Sequence, residues 1–138
     1  MNQSIWLALD RASRNVDAVM NADANRLNLS AIECHILLAL SKDDGVHAST
    51  LATAVGRLAT SFTPNLDSLE RKGLLDRRDD PYDRRAVNIH LTYEGKQAAY
   101  KARDLIAEID KLFIDSLTAA DVQAFERVMA VLAWETKL

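Results

Sequence analysis

Apolar residues recur at helical spacing along most of this chain and alternate at strand spacing in one short region. Over residues 3–25 the apolar positions lie three or four apart, which predicts an amphipathic first helix. Ser30 and Glu33 follow with the spacing of a capping box, in which each side chain accepts a hydrogen bond from the other residue's amide. We therefore expect a second helix to begin there and to end between residues 41 and 45.

The next segment predicts two helices joined by a tight turn. An extended piece over residues 46–48 leads into a third helix over 49–55, for which Ser49 is a suitable N-cap. Gly56 then permits the turn, because glycine adopts backbone angles that other residues avoid. A fourth helix over 60–72 completes a helix-turn-helix pattern.

The fourth helix carries one apolar stripe, which predicts that a single face packs on the core. The stripe consists of Leu58, Phe62, Leu66 and Leu69. Pro64 would interrupt the interior of a helix, so we expect it in the first turn, where its missing amide hydrogen has no partner to lose. With the ordered helix beginning near Thr60 or Ser61, Gly73 is the expected C-terminal stop.

After this helix the pattern changes to the alternation of strands. Residues 74–79 and 86–92 are expected to pair as a β-hairpin, with turn-forming residues at 80–83 between them. In the second strand one side carries Val87, Ile89 and Leu91, and the other carries Asn88 and His90. A hairpin directly after a helix-turn-helix indicates the wing of a winged helix.

Two long amphipathic helices end the chain. Thr92 is expected to cap a helix over 93–116, and Thr118 to begin the last helix. The apolar stripes consist of Ala98, Ala102, Leu105, Ile109, Leu112 and Phe113 in the first and Val122, Phe125, Met129 and Leu132 in the second. Together with the first helix they are too long and apolar for the winged module alone, so we expect them to pack across a two-fold axis in a homodimer.

The predicted fold class is mainly α with a small β-hairpin, arranged as a winged helix-turn-helix with N- and C-terminal dimerisation helices. The length of 138 residues fits a single domain. Within that domain we expect a winged core over 30–92 and dimerisation helices over 1–28 and 93–138. Hydrophobic residues make up 49% of the chain and charged residues 27%, which is typical of a globular protein.

The sequence lacks the features of several other classes of protein. No apolar run approaches the roughly 18 residues of a membrane span. The charged N-terminus does not resemble a secretory signal, so we expect a cytoplasmic protein. The one cysteine, Cys34, forms no intrachain disulfide and is expected to be a small buried side chain. The histidines are scattered and no catalytic motif is present, so we expect no enzyme activity, metal or other cofactor.

The charge of the chain is a weak indication of nucleic-acid binding. The formal net charge is −3, whereas nucleic-acid-binding domains are usually basic. Residues 57–96 hold eight Lys/Arg and seven Asp/Glu, a balance of +1, and the remainder of the chain balances to −4. Any binding to DNA must therefore depend on a few arginines at defined positions rather than on a broad positive field.

The exposed side of the fourth helix is the candidate surface for reading DNA. Short hydroxyls, an amide and a proline ring can contact phosphates, base edges or a thymine methyl group. The candidate DNA-binding residues in and beside this helix are Arg57, Thr60, Ser61, Thr63, Pro64, Asn65, Ser68, Arg71 and Lys72. Alternatively, Thr60 or Ser61 only caps the helix, and Arg71 pairs with Asp67 one turn away.

The hairpin adds arginines to this surface. A guanidinium fits a narrow minor groove, where negative potential is concentrated. We expect Asp83 to orient Arg85, which leaves Arg84 as the better candidate for the groove. Strand side chains alternate, so only one of Arg77 and Arg78 faces the DNA side, and Arg77 is the candidate. The alternative is a solvated turn with internal ion pairs.

The segment over 66–95 resembles the signature of the MarR (multiple antibiotic resistance regulator) family of bacterial transcription factors. It holds Leu-Glu-x-x-Gly-Leu at 69–74, an Asp-x-Arg wing at 83–85 and Leu-Thr-x-x-Gly at 91–95. The helix order of nearly the whole chain is similar as well. The resemblance implies an obligate dimer that binds pseudo-palindromic double-stranded operators and is often released by a small, frequently phenolic or other aromatic, effector.

The favoured hypothesis is a sequence-specific transcriptional repressor released by an effector. The acidic residues around the hairpin favour an alternative, a winged-helix protein-interaction module without DNA binding. A weaker third hypothesis is a small-molecule carrier or enzyme that uses a cavity between helices. Trp6 and Trp134 are expected to pack in the dimer interface. Alternatively, Trp6 lines an effector pocket with the second and fifth helices, whose lining residues the sequence leaves open.

Overall fold

The computed structural model describes residues 4–56 and 59–133, with the backbone alone at 59–61. These residues form six α-helices and three short strands. The helices are α1 (Ile5–Ala24), α2 (Ala31–Lys42), α3 (Ala48–Ala54), α4 (Ala59–Arg71), α5 (Tyr93–Ile114) and α6 (Ala119–Leu132), and the strands are β1 (Val46–His47), β2 (Leu75–Asp79) and β3 (Val87–Leu91). The chain divides into two compact units, residues 1–105 and 106–138, and the boundary lies within α5.

The three strands form one antiparallel sheet with β3 in the centre. The order is β1-β3-β2, and Ile89 of β3 lies opposite Val46 of β1 and Arg77 of β2. The predicted hairpin is confirmed. The pairing of the two-residue β1 with β3 was not predicted, because a strand so short shows no alternation.

Helix α2 lies at the centre of the first unit. It packs against α1, α3, α4 and β3. The side chains with almost no exposure include Ile36, Leu37, Leu40, Leu51, Phe62, Leu69, Leu75 and Ile89. The burial of Phe62 and Leu69 confirms the apolar stripe predicted for α4 where it is described. Cys34 is buried as predicted, and this burial raises the pKa of its thiol, so the group stays protonated and unreactive at neutral pH.

The starts of the helices follow the predicted caps in two places. The capping box at α2 is present: the amide of Glu33 donates to Ser30 Oγ over 3.2 Å, and the amide of Ser30 donates to Glu33 Oε1 over 2.8 Å. Thr118 and Asp121 make the same reciprocal pair at the start of α6. These side chains satisfy amides that a helix start leaves without partners.

Two predicted details of the helix-turn-helix are wrong. Helix α3 begins at Ala48 with His47 as its N-cap residue, so Ser49 lies inside the helix instead of capping it. The cause is that β1 runs directly into the helix. Helix α4 begins at Ala59, which places Pro64 in the second turn and not in the first. Because proline has no amide hydrogen, the carbonyl of residue 60 lacks its helical donor.

The start of α5 lies unusually close to the chain that follows α4. Thr92 Oγ1 donates to the carbonyl of Gly73 over 2.7 Å, and the amide of Thr92 donates to the carbonyl of Leu74. The amide of Gly95 donates to Thr92 Oγ1 over 3.0 Å, so the predicted cap by Thr92 is present. A Cβ at position 95 would lie 1.9 Å from the carbonyl oxygen of Leu74, and the helix must therefore have glycine there.

The apolar stripes of α5 and α6 are largely uncovered towards their C-terminal ends. Ala102, Leu105 and Ile109 are buried, whereas Leu112 is 71% exposed. Helix α6 has no buried residue among those described, and its Phe125 is 60% exposed. Both helices therefore carry apolar surface that the protomer does not cover.

We predict that Gly95→Ala destabilises the protein, although alanine is normally the better residue in a helix. Alanine in place of glycine usually gains about 0.5–1 kcal/mol, but overpacking against a fixed group costs about 1–3 kcal/mol. Urea unfolding should show a loss of about 2 kcal/mol. The control is Gln97→Ala on the exposed side of α5, for which we expect a change of about 0.5 kcal/mol or less. A Gly95→Ala protein as stable as the wild type would refute the steric argument.

Candidate nucleic-acid interface

Helices α3 and α4 form the predicted helix-turn-helix. Gly56 between them has a positive φ of 69°, the backbone angle for which glycine was expected. On α4, Thr63, Pro64 and Arg71 are exposed, as a reading surface requires. Asn65 is half-buried and already engaged in an interaction within the protein. Arg57 lies outside the described residues, as do the side chains of Thr60 and Ser61.

Two further candidates on α4 are held within the protomer. Ser68 Oγ donates a hydrogen bond of 2.9 Å to Glu33 Oε2. The Lys72 ammonium donates to both oxygens of Glu33 over 3.0 and 3.1 Å, and to the carbonyl of Asn28 over 2.8 Å. Ser68 thus contacts α2, and Lys72 contacts both α2 and the turn before it. This arrangement counts against their use as phosphate contacts.

The partner of both groups, Glu33, is a buried carboxylate. Its exposure is only 4%. Burial raises the pKa of Glu33, but the hydrogen bonds from the Ser30 amide, Lys72 and Ser68 outweigh it, and the pKa lies below its ordinary value. The group is therefore ionised at neutral pH despite its surroundings. Sequence reasoning identified Glu33 as a helix cap and missed its contacts with α4, which come from residues 35 and 39 positions away.

Arg77 of β2 is also paired inside the protein. Its guanidinium donates to the carboxylate of Asp67, and its Nε lies 3.6 Å from Glu70 Oε2. Asp67 thus contacts β2, and the alternative pairing of Asp67 with Arg71 is not the one formed. Arg78 is more exposed and lies 3.7 Å from Asp76. The ion pairs of Arg77 attach the hairpin to α4, which places the helix and the wing in a fixed relation.

The turn of the wing is held by two aspartates. Asp80 Oδ1 accepts from the amide of Tyr82 over 2.8 Å, and Asp83 Oδ1 accepts from the amide of Arg85 over 3.0 Å. Asp83 therefore supports the backbone of Arg85 and does not pair with its guanidinium as predicted. Such contacts between an aspartate and an amide two residues ahead are a common way to stabilise a turn.

A histidine ties the wing to the start of α3. His47 Nε2 lies 2.7 Å from Asp80 Oδ2. The amide of Tyr82 and then His47 lower the pKa of Asp80, so this carboxylate is ionised and can hold both partners. Sequence reasoning missed this contact because 33 positions separate the two residues and neither lies in a local motif.

The tip of the wing carries two arginines that have no internal ion pair. Arg84 and Arg85 are exposed, and neither forms an ion pair with any residue in the described part of the chain. Beside them, Tyr82 is 97% exposed. An aromatic ring exposed to this extent is a further candidate contact that sequence reasoning did not single out.

Other kinds of site find little support in residues 4–56 and 59–133. Within these ranges no group of three or more His, Cys, Asp and Glu side chains could hold a metal ion. None of the helices within them is long and apolar enough to cross a membrane.

A cavity of about 360 Å³ lies between α2 and α5, lined by Leu40, Ser41, Asp44, Leu91, Lys96, Ala99, Tyr100 and Arg103. Trp6 is not part of its wall and is 71% exposed.

Comparison with known proteins shows which family the winged core resembles. The profile of the MarR family matches residues 29–87, which run from the turn before α2 to the start of β3. The winged core of this chain is therefore similar to that of the MarR family. The match agrees with the family resemblance found in the sequence.

Individual relatives agree with this resemblance. The chain is 36% identical over 90 residues to the regulator PecS of Dickeya dadantii (strain 3937), a match that covers 63% of this chain and 54% of PecS. The chain spans about half the length of the curated relatives it matches.

The solved structures extend the similarity to the whole fold. The repressor CouR, bound to a 23-mer DNA duplex, matches with a TM-score of 0.87 and 27% identity, covering 95% of this chain and 93% of CouR. PcaV from Streptomyces coelicolor, in complex with its natural ligand, matches with a TM-score of 0.80 and 22% identity, covering 96% of each chain. The winged helix-turn-helix with terminal helices is thereby confirmed.

We predict that Asp80→Ala loosens the tip of the wing. The substitution removes the contact with His47 and the hydrogen bond from the Tyr82 amide. Backbone hydrogen exchange over residues 80–86 should become about tenfold faster, because the turn can then open without breaking these contacts. The control is Asp79→Ala, which removes the same charge from an exposed neighbour. Equal exchange in the two variants would show that Asp80 does not anchor the turn.

Proposed function

We propose that this protein is a homodimeric transcriptional repressor that binds a pseudo-palindromic operator through α4 and the wing. The observation that carries the proposal is the wing tip, where Arg84 and Arg85 project from a turn held by Asp80 and Asp83. Because the contacts of Asp80 and Asp83 already fix this turn, its backbone loses little freedom when the arginines bind. A flexible loop with the same residues would lose conformational entropy each time it bound DNA.

In this proposal each element takes a different groove. The N-terminal part of α4 enters the major groove, where Thr63 and Pro64 are exposed beside the backbone of residues 59–61. The wing reaches the flanking minor groove, into which Arg84 places its guanidinium. Arg71 and Arg85 are the remaining exposed candidates for phosphates. CouR, the relative with 27% identity, is itself a repressor bound to duplex DNA.

The dimer in the proposal rests on apolar surface that one protomer leaves exposed. The large exposed apolar residues of the first and last helices include Ile5, Trp6, Leu7, Phe125, Val128, Val131 and Leu132. Large apolar side chains exposed in such numbers are uncommon on monomers and are typical of an interface. Two protomers related by a two-fold axis would present two copies of α4 to successive major grooves. A regulator of this kind acts on the chromosome, so we assign it to the cytoplasm.

We infer that a small aromatic ligand releases the repressor. PcaV, which shares the fold, was solved with its natural ligand. The cavity between α2 and α5 is large enough for a single aromatic ring with a polar substituent. Tyr100 and Arg103 both line it, and the guanidinium carbon of Arg103 lies 5.0 Å from the centre of the Tyr100 ring. Such a ligand acts only if it binds better to the conformation that cannot hold DNA.

A second candidate function is a protein-interaction module that does not bind DNA. The acidic residues of the hairpin favour it, since Asp79 is exposed at the end of β2 and Asp76 is exposed while it lies 3.7 Å from Arg78. Asp67, Asp80 and Asp83 favour it less, because each already holds a partner within the protomer.

Selection of random duplexes by the purified protein distinguishes the two functions. The proposal expects an enriched inverted repeat whose half-sites lie about one helical turn apart. The affinity for this repeat should fall steeply as salt rises, because phosphate contacts release counterions. A protein that enriches no sequence at low salt would contradict the repressor and leave the interaction module.

We predict that Arg84→Ala weakens binding to the selected operator by more than tenfold and leaves the dimer intact. The change removes a guanidinium from the minor groove without touching the core. Fluorescence anisotropy gives the affinity, and sedimentation gives the state of assembly. Arg11→Ala, on the exposed surface of α1, removes the same charge and should change the affinity by less than twofold. Wild-type affinity in Arg84→Ala would remove the wing tip from the interface.

A further inference from the structure

The contacts of Glu33 join three parts of the chain that are distant in sequence. The carboxylate accepts hydrogen bonds from the amide of Ser30, from Ser68 Oγ and from the ammonium of Lys72. The same ammonium donates to the carbonyl of Asn28. One buried charge therefore connects the turn before α2, the start of α2 and the last turn of α4.

We propose that Glu33 is a positioning residue for α4, which fixes the rotation of this helix about its axis and keeps Lys72 away from the DNA backbone. The inference rests on the proposed function, since it concerns how α4 meets an operator. It adds to that function a residue with no DNA contact of its own. The name clamp is used below for Glu33, Ser68 and Lys72.

The geometry of the clamp is suited to this task. Ser68 and Lys72 lie four positions apart, so they project from the same side of α4, one turn from each other. Two donors on one side that meet a single carboxylate define the direction in which that side points. Packing of Phe62 and Leu69 is non-directional and permits small rotations, whereas hydrogen bonds weaken quickly with a change of angle.

Small rotations matter for the exposed residues of the helix that would contact bases. Side-chain tips lie roughly 5–6 Å from the axis of a helix, so a rotation of roughly 20° moves them by about 2 Å. A hydrogen bond to a base edge tolerates a few tenths of an ångström. An α4 that turned in this way would lose its sequence-specific contacts and keep its charge.

The ionised state of Glu33 is what links the helix cap to α4. A glutamine at this position would still accept from the amide of Ser30 through its carbonyl oxygen, so the cap alone does not require a charge. Only a carboxylate neutralises the ammonium of Lys72. Burial of a charge is expensive unless partners surround it, and such groups contribute more to a unique arrangement than to stability.

The clamp also removes one cation from the surface that faces phosphate. The side chain of Lys72 is 27% exposed while it contacts Glu33. Without the carboxylate, the ammonium is free to reach any phosphate, irrespective of sequence. We therefore expect the clamp to favour the operator over other DNA in two ways: through the orientation of α4 and through the suppression of a non-specific contact.

The test compares the affinities for the selected operator and for an unrelated duplex of the same length. Both are measured by fluorescence anisotropy at 15 °C, where circular dichroism confirms that every variant is folded. In Glu33→Gln the operator affinity should fall at least tenfold, while the affinity for the unrelated duplex stays equal or rises. Asp104→Asn, which removes one exposed negative charge from α5, should leave the ratio of the two affinities within twofold of the wild type.

A second set of variants keeps Glu33 and its cap, in case Glu33→Gln does not fold. Ser68→Ala removes one hydrogen bond of the clamp and should lower the ratio of operator affinity to unrelated-duplex affinity about threefold. Lys72→Met should also lower this ratio, because α4 loses the contact between Lys72 and Glu33. If Lys72 were itself a phosphate contact, Lys72→Met would weaken both duplexes equally and leave the ratio unchanged, which would overturn the inference.

The outcomes separate this inference from the function on which it rests. A wild-type protein that binds no operator contradicts both. A wild-type protein that binds its operator, together with a Glu33→Gln or Ser68→Ala variant that keeps the ratio within twofold, contradicts the inference alone. In that case Glu33 serves only as a helix cap.

Discussion

Burial of the Glu33 carboxylate is the constraint on which the arrangement of the winged core depends. A charge with 4% exposure is tolerated only when hydrogen-bond donors surround it. Those donors come from separate elements, so the end of α4 must lie against the start of α2 for the charge to be satisfied. The carbonyl of Asn28 accepts a further hydrogen bond from Lys72, one of these donors. Asn28 has a left-handed backbone with φ at 57°, and it belongs to the turn that places its carbonyl beside Lys72.

The wing is organised on the same principle at a more exposed place. Asp80 contacts both the amide of Tyr82 and the imidazole of His47, and Arg77 contacts two carboxylates of α4. In each case a charged group is used to hold one element against another. The cations that stay exposed are consequently few and lie at defined places. This agrees with a net charge of −3, which gives the chain no broad positive surface.

Local sequence predicted the elements and several of the residues that begin or end them. The capping box at Ser30, the positive φ at Gly56 and the hairpin with its alternating β3 depend on neighbours a few positions away, which a sequence displays directly. The bounds that were wrong, at Ser49 and Pro64, depend on where the preceding segment ends, and several nearby positions satisfy the local rules equally.

The state of the site residues could not be predicted in the same way. Ser68, Lys72 and Arg77 were proposed as DNA contacts because each lies in a suitable element, yet all three have partners within the protomer. For Ser68 and Lys72 that partner is 35 and 39 positions away, and only the packing of α2 on α4 brings it near. Arg84 and Arg85, at the end of a turn, have few neighbours in any fold, and their exposure followed from their place in the sequence.

The uncovered apolar side of α6 has a consequence for how the protein behaves at different concentrations. A helix with no buried residue in its own protomer gains little from burial until another surface covers it. If that surface belongs to a second copy, as in the proposed dimer, part of the folding free energy is intermolecular. The ordering of the C-terminal unit then follows mass action, and the number of chains in the cell sets the fraction that is competent to bind.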